Sequence, residues 1–148
     1  MRKTTVIIMI TFLIGACAQN KNQDIKTLQA FFDEVVLTEN YTNEDLLKFF
    51  NVENDESIAL LKYQIKNLKT KFQQNSDDYQ IIAHNDINNY ELSSNLEYNN
   101  YDEVYYLVIN EALIAPLIIK NDRLISISFA LYKTLDKKNK YPMLLEEL

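Results

Sequence analysis

The spacing of the hydrophobic residues changes near the middle of the chain, and this change restricts the fold more than any other feature. Up to about residue 75, hydrophobic residues recur every three or four positions, which is typical of helices with one buried face. After residue 79 they fall in short runs rich in β-branched and aromatic residues, which is typical of strands. The sequence therefore predicts helices first and a β-sheet afterwards.

Up to three helices are predicted in the first half. The first has these apolar residues on one face: Ile25, Leu28, Phe32, Val35 and Val36. A second, short helix follows Thr42, because Thr42 and Asp45 have the spacing of a capping box. The third helix begins after Asn54 or Asp55 and has the most regular hydrophobic spacing, at Ile58, Leu61, Ile65, Leu68 and Phe72.

The second half predicts three to four strands, at residues 79–83, 104–109, 113–119 and 124–132. Alternate residues of the last strand form one apolar face: Ile125, Ile127, Phe129 and Leu131. The residues between them form a more polar face. A sheet with one apolar face is expected to be antiparallel, with helices packed on that face only.

The last two strands are predicted to form a hairpin. Asn121 and Asp122 tolerate left-handed backbone, so they favour a two-residue turn even without glycine. Pro116 lies in the third strand and cannot donate a hydrogen bond to a neighbouring strand, so it predicts a bulge or an edge position. The pairs expected from the turn are Ile119 with Leu124 and Ile118 with Ile125.

Together these elements predict a single α+β domain at residues 24–148. Two or three N-terminal helices pack on one face of a C-terminal antiparallel meander sheet of three to four strands. Residues 85–100 are polar and rich in asparagine, and predict a long loop with one weak strand near Tyr90. The order of the elements loosely resembles the cystatin-like and NTF2-like architectures, in which a curved sheet wraps around a helix. This resemblance implies no particular function.

Glycine and cysteine are nearly missing from the chain, and this excludes several kinds of site. The only glycine is Gly15 and the only cysteine is Cys17. Phosphate-binding loops, nucleophile elbows and EF-hand loops need glycine where the backbone turns sharply or approaches a ligand. Zinc fingers and disulfide frameworks need several thiols. None of these is expected.

The N-terminus has the three zones of a bacterial export signal. Arg2 and Lys3 precede an apolar run at residues 6–14, which is too short to span a bilayer as a helix. Residues 14–17, Ile-Gly-Ala-Cys, resemble the lipobox of bacterial lipoproteins. This resemblance implies that residues 1–16 are a signal peptide that is removed, that Cys17 is lipidated, and that residues 17–23 are a short tether.

Lipidation of Cys17 would make the membrane a partner of the protein, because more than one acyl chain gives stable anchoring. In Gram-negative lipoproteins, aspartate after the cysteine retains the protein at the inner membrane; Ala18 here implies the outer membrane. The tether from Cys17 to Asp24 spans at most about 25 Å, so the domain is expected close to the bilayer. A basic stripe beside the apolar face of the third helix, at Lys62, Lys66 and Lys69, would face either anionic headgroups or solvent.

The charge of the chain argues against nucleic acid as a partner. The chain has 15 Lys and Arg residues against 21 Asp and Glu residues, for a formal net charge of −6. Loss of Arg2 and Lys3 with a signal peptide would make the charge still more negative. Affinity for nucleic acid comes mainly from cations that neutralise phosphates. No nucleic-acid binding is expected.

The sequence offers few candidates for catalysis or metal binding. His84 with Asp86 has the residue types of a base and its orienting acid, but no nucleophile accompanies them, and a strand-end histidine is expected. The oxygen-rich segment 85–91 lacks the spacing and the glycine of an EF-hand. Structural roles are expected for the adjacent acid pairs Asp33-Glu34, Glu44-Asp45, Asp77-Asp78, Asp102-Glu103 and Glu146-Glu147. No cofactor, metal site or catalytic residue is predicted.

Half of the ten tyrosines lie in one window of the sequence, and this window is the predicted contact site for a partner or ligand. Tyrosine offers a rigid ring with a polar tip and is favoured at interfaces. The five tyrosines are Tyr90, Tyr98, Tyr101, Tyr105 and Tyr106.

The sequence therefore predicts a non-enzymatic, lipid-anchored protein of the cell envelope that binds another envelope protein, as an accessory subunit or an inhibitor or immunity-type factor. One alternative is a small-ligand-binding protein with a pocket between sheet and helices; a second is a small hydrolase. A pocket with convergent polar groups would favour the alternatives. A filled core with an exposed apolar, tyrosine-rich patch would favour protein binding.

Overall fold

The computed structural model describes residues 21–75, 78–87, 95–96, 98–128, 139–140 and 145. Within these ranges, three helices precede a four-stranded antiparallel sheet, which confirms the predicted α+β class. The helices are α1 (21–36), α2 (Asn43–Leu47) and α3 (Asp55–Asn75). The strands are β1 (Tyr79–Ala83), β2 (Asn95–Leu96), β3 (Val104–Ile109), β4 (Ala112–Lys120), β5 (Arg123–Ser126) and β6 (Asn139–Lys140). No helix of the described residues is long and apolar enough to cross a bilayer.

The helices begin where their capping residues predict. At α2, the Thr42 hydroxyl accepts a hydrogen bond from the Asp45 N–H (3.2 Å), and the Asp45 carboxylate accepts one from the Thr42 N–H (2.9 Å). At α3, the Asn54 side chain accepts a hydrogen bond from the Ser57 N–H (2.7 Å). Both predicted caps are therefore confirmed. The last turn of α1, Phe32–Val36, is π-helical.

The main sheet has the strand order β1-β3-β4-β5, and each neighbouring pair is antiparallel. The short strands β2 and β6 form a separate parallel pair. The long connection from β1 to β3 contains β2 and two 3₁₀ turns, at His84–Asp86 and Tyr101–Glu103. The weak strand that the sequence predicts near Tyr90 lies outside the described residues.

Two turns with positive φ connect the last three strands of the sheet. The turn between β4 and β5 is Asn121-Asp122, with φ of 51° and 61°, which confirms the predicted hairpin. The turn between β3 and β4 is Asn110-Glu111, with φ of 49° and 63°. A two-residue hairpin of type I′ requires positive φ at both central residues. In this chain, asparagine and an acidic residue provide this conformation instead of glycine.

The predicted pairing between β4 and β5 is half right. Ile119 pairs with Leu124 as predicted, but Ile118 pairs with Ser126 and not with Ile125, because the register shifts between Ile118 and Ile119. Because of this shift, β5 has one extra residue, Ile125, between the residues that pair with β4. Each later residue of β5 therefore points to the face opposite the one predicted. The predicted shared face of Ile125 and Ile127 is therefore wrong: Ile127 packs against the helices and Ile125 packs on the other face. Phe129 and Leu131 lie outside the described residues.

Among the described residues, Pro116 has an opposite residue on one side of β4. On that side Pro116 is opposite Tyr106 of β3. On the other side, pairing with β5 begins only at Ile118. The register with β3 also shifts two residues before Pro116, leaving Ile114 without an opposite residue. Of the two predicted alternatives, the bulge is confirmed close to this proline, and the edge position is wrong, because β4 is an inner strand of the sheet.

The main core lies between the helices and one face of the sheet. Leu28, Phe31 and Phe32 of α1 and Leu61 and Ile65 of α3 are fully buried there. Alternate residues of β3 point into the same core: Tyr105, Leu107 and Ile109. This is the face on which the sequence predicts the helices to pack.

The other face of the sheet is also buried, and this corrects the prediction of a single covered face. Val104, Tyr106, Ile118 and Ile125 form a second cluster there with Ile87 and Leu96 from the β1–β3 connection. Ser126, predicted on a polar face, is fully buried. Ile87 and Leu96 are thus described residues of the β1–β3 connection that cover this face.

Candidate functional site

The structure separates the tyrosines of the predicted contact window. Tyr105 points into the main core, is fully buried, and donates a hydrogen bond from its hydroxyl to Asp24 Oδ2 (2.8 Å). Tyr106, the next residue, is fully buried on the opposite face of the sheet. Neither ring is accessible to a partner. Tyr90 lies outside the described residues.

Tyr98 and Tyr101 remain nearer the surface, but their hydroxyls are used within the chain. The Tyr98 hydroxyl donates to Glu103 Oε2 (2.9 Å), and the Tyr101 hydroxyl donates to the Leu96 carbonyl (2.8 Å). The Tyr101 ring is 39% exposed. Of the described tyrosines in the window, Tyr101 offers the largest exposed surface.

His84 lies at the end of β1, as the strand-end prediction has it. Its ring stacks on Tyr101, with ring centroids 4.3 Å apart, and its Nδ1 is 3.0 Å from the Tyr106 hydroxyl. Burial lowers the pKa of His84, and burial raises the pKa of Tyr106 to about 12. A tyrosine with so high a pKa is a poor nucleophile near neutral pH. The cluster is suited to packing more than to hydrolysis.

The acid pairs that the structure describes take part in local contacts. Asp45 belongs to the cap of α2, and backbone and side-chain hydrogen bonds lower its pKa to about 2. Asp102 accepts a hydrogen bond from Asn85 Nδ2 (3.0 Å). Within the described ranges, no three His, Cys, Asp or Glu side chains are grouped to hold a metal ion. Asp77 and the pair at 146–147 lie outside these ranges.

The predicted basic stripe of α3 is divided as well. Lys62 and Lys66 are exposed. Lys69 instead turns inward, where its Nζ donates to the Thr38 carbonyl (2.5 Å) and lies 4.7 Å from the centroid of the Tyr41 ring. Burial lowers the pKa of Lys69. Lys69 therefore joins α3 to the segment that follows α1.

A groove lies between α3 and β4, with a volume of about 410 Å³. Its apolar residues are Leu60, Leu68, Ile114, Ala115 and Ile127. Its polar residues are Tyr63, Gln64, Asn67, Thr70, Lys71 and Ser128. A mostly apolar cleft with a few polar groups, of some 300 to 1,000 Å³, is typical of small-molecule sites.

None of the groove residues is predicted as a site residue from the sequence. On α3 they lie beside the core-facing stripe, where side chains are usually assigned to solvent. The helical spacing gives the direction of Tyr63, Asn67 and Lys71, but only the packing of α3 beside β4 makes them one wall of a groove. The apolar residues of β4 do not indicate a groove either, because a strand buried in the core has the same apolar composition as a strand that lines a groove.

Residues 1–20, which include Cys17, fall outside the described part of the chain. The membrane, the proposed lipid and the resemblance to bacterial lipoproteins therefore stay predictions. The likeness to cystatin-like and NTF2-like architectures stays one of element order. No protein-family model matches the chain, and no curated protein and no solved structure is significantly similar to it.

Proposed function

We propose that this chain is a lipid-anchored protein of the bacterial envelope that binds a small, largely apolar ligand in the groove between α3 and β4. The single observation that supports the ligand is the groove itself, with its apolar wall and a row of polar side chains on α3. Binding, and not catalysis, is proposed because His84 is stacked and hydrogen-bonded between two tyrosines.

The anchor is proposed from the sequence of residues 1–17. Cys17→Ala removes the thiol that would be lipidated, so the protein should no longer pellet with membranes or incorporate labelled palmitate. Thr38→Ala, a substitution in the segment after α1 and far from the lipobox in sequence, is the control and should leave both properties unchanged. Membrane partition of the Cys17→Ala variant would contradict the anchor. In a Gram-negative host, we expect the outer membrane.

The groove suggests a ligand with an apolar body and a hydrogen-bonding or anionic group. Leu60 and Ile114, which are half-buried, would contact the apolar body, and Ala115 and Ile127 are buried behind them. Asn67 and Lys71 come from α3, on the wall opposite β4, and an amide and an ammonium group complement a carboxylate. The Lys71 ammonium also donates to the Ile114 carbonyl across the groove (3.3 Å). A medium-chain fatty acid has this chemistry, and dodecanoate is therefore a suitable probe.

The test compares two substitutions on one helix. Asn67 is exposed and lines the groove, so Asn67→Trp should fill it and weaken dodecanoate binding at least tenfold. Lys66→Trp, one residue earlier and outside the groove, should bind as the unmodified chain does. Calorimetric titration measures both. Lack of saturable binding to the unmodified chain, or equal binding to both variants, would contradict the proposal.

Protein binding is the second candidate, and the exposed ring of Tyr101 supports it. Stacking on His84 holds this ring in one orientation, which reduces the entropy lost on contact with a partner. An accessory subunit or an inhibitor or immunity-type factor would use such a contact. A photo-crosslinking residue at Tyr101 should capture one envelope protein specifically, and the same residue at Tyr63 should not. Identical products from the two positions would contradict a specific contact.

A further inference from the structure

A shallow depression beside α1 brings cationic side chains from three parts of the chain together. Lys26 comes from α1, Lys48 follows α2, and Arg123 begins β5. Asp122 is the one acidic residue among the described residues that line the depression. The residues that line the depression therefore carry three cations against one carboxylate, whereas the whole chain has a net charge of −6. The carboxylates of Glu34 and Asp45 lie beside the lining, in contact with Lys48.

Two of the three cations make no carboxylate contact within the described part of the chain. The Arg123 guanidinium donates to the carbonyls of Leu47 (3.0 Å) and Lys48, which are neutral acceptors. Lys26 is exposed on the surface of α1. Lys48 differs, since its Nζ is 3.2 Å from a Glu34 oxygen and 2.9 Å from an Asp45 oxygen.

The three parts of this surface are fixed to one another. The Leu124 N–H donates to the Phe49 carbonyl (2.8 Å), which joins β5 to the end of α2. The ring of Phe49 meets that of Phe31 of α1 edge to face, with centroids 5.6 Å apart. Lys26, Lys48 and Arg123 thus project from a packed framework.

The same surface lies near the proposed anchor. The hydroxyl of Tyr105 holds the side chain of Asp24 (2.8 Å), so the position of Asp24 relative to the sheet is defined. Asp24 is seven residues from Cys17, and seven extended residues span at most about 25 Å. Lys26 lies two residues beyond Asp24, so a lipid on Cys17 would keep this surface within reach of the headgroups.

We infer that the surface formed by Lys26, Lys48 and Arg123 rests on anionic lipid headgroups and orients the domain on the membrane. The inference rests on the proposed anchor. Each cation near an anionic bilayer strengthens association by roughly fivefold. The acidic remainder of the chain is repelled by the same bilayer, which favours this orientation over others. The exposed lysines of α3, Lys62 and Lys66, offer the competing orientation.

The test couples the chain from Cys17 onward, through the Cys17 thiol, to a maleimide lipid in vesicles, so that it does not depend on lipidation in the cell. The chain has no tryptophan, so one introduced tryptophan is a unique reporter of distance to a headgroup energy acceptor. Gln23→Trp reports on the α1 surface, and Ala59→Trp reports on the face of α3 that bears Lys62 and Lys66. Vesicles of phosphatidylcholine alone are compared with vesicles containing phosphatidylglycerol.

Phosphatidylglycerol should increase energy transfer in the Gln23→Trp variant more than in the Ala59→Trp variant, and salt should reverse the increase. Lys26→Glu should lower the ratio of docked to undocked domains by roughly 25-fold, because it reverses one charge. Lys62→Glu, an equal change on α3, should have little effect. Transfer that is independent of lipid charge, or that depends on Lys62 and not on Lys26, would overturn the inference. Failure of the anchor appears separately, as Cys17→Ala protein that still pellets with cell membranes.

Discussion

The two faces of β3 differ in what covers them, although both are buried. Tyr105 and Tyr106 are adjacent, both are fully buried, and each has a hydroxyl partner on its own face. The Tyr105 face is covered by helices whose spacing is visible in the sequence. The Tyr106 face is covered by residues of an irregular connection, such as Ile87 and Leu96. A sheet face covered by helices can therefore be predicted from the spacing of hydrophobic residues. A face covered by an irregular connection cannot.

The largest expected effect tests whether the helix face supplies most of the stability. Phe31 is fully buried and its ring meets those of Phe32, Phe49 and Phe50 edge to face. Phe31→Ala should lower the free energy of unfolding by about 3–5 kcal/mol, from lost burial and the cavity that remains. Urea denaturation measures the change.

Leu96→Ala is the corresponding change on the Tyr106 face. The irregular connection that covers this face should relax more readily into the cavity than packed helices do. We expect a loss toward the lower end of about 2–5 kcal/mol. Leu37→Ala, at an exposed position, should change stability by less than about 0.5 kcal/mol. If Leu96→Ala costs as much as Phe31→Ala, the two faces are equivalent and the comparison fails.

Removing the hydroxyls of Tyr105 and Tyr106 compares the two faces through a smaller change in the free energy of unfolding. Tyr105→Phe should cost about 1–3 kcal/mol, because it leaves the partly buried carboxylate of Asp24 without its donor. Tyr106→Phe should cost less, since its partner His84 is neutral at pH 7. Thermal unfolding of the two variants gives the order directly, and the reverse order would contradict this reasoning.

Asp24 provides a control with a definite sign. Burial raises the pKa of Asp24 above its usual value, against the effect of the Tyr105 hydrogen bond. The folded state therefore favours the protonated carboxyl, and this contribution is lost as pH rises through the folded pKa. Asp24→Asn should make stability less dependent on pH above about pH 4, the ordinary pKa of an aspartate. A steeper dependence in the variant would be inconsistent with a raised pKa.

His84 gives the Tyr106 face its own dependence on pH. Burial lowers its pKa below the usual 6.5, so the folded state favours the neutral ring. Its contribution is complete above pH 6.5 and decreases as pH falls below that value. Urea midpoints at about pH 7.5 and about pH 5.5, on either side of the ordinary histidine pKa, should differ less in His84→Gln than in the unmodified chain. The same variant should keep its biological activity, whereas loss of activity with intact folding would support the hydrolase alternative.

The smallest effects concern the turns, which belong to both faces. Glu111 and Asp122 each have positive φ, which costs about 1 kcal/mol for ordinary residues and less for aspartate. Glu111→Gly should raise the free energy of unfolding by up to about 1 kcal/mol, and Asp122→Gly by less. Probes on the two faces should report the same gain, because the strands are shared. Unequal gains would mean that the faces unfold separately.

The sequence was sufficient for the elements whose cause is local. The caps at Thr42 and Asn54, the turn at Asn121-Asp122 and the pair Ile119–Leu124 follow from side chains close in sequence. The turn at Asn110-Glu111 was not predicted, because glutamate rarely adopts positive φ. The shift that pairs Ile118 with Ser126 has no sequence marker, since a bulge changes register without changing composition.

The candidate sites were harder to predict, because they depend on contacts between distant residues. Tyr98, Tyr101, Tyr105 and Tyr106 are neighbours in sequence, but the alternation of a strand directs the last two to opposite faces. The groove joins Asn67 of α3 to Ile114 of β4, which are 47 positions apart. No spacing rule relates such positions, so only the packed structure identifies them.

The lack of glycine after residue 15 also affects the state from which the domain folds. Glycine samples more backbone conformations than any other residue, so a chain without it has less entropy to lose. Replacing a glycine by alanine at a compatible position typically stabilises a protein by about 0.4–1 kcal/mol through this effect. The residues with positive φ, at positions 110, 111, 121 and 122, add backbone strain to the native state. At all remaining positions after residue 15, the lack of glycine only reduces the backbone conformations open to the denatured chain. The domain thus derives part of its stability from the low conformational entropy of its unfolded state.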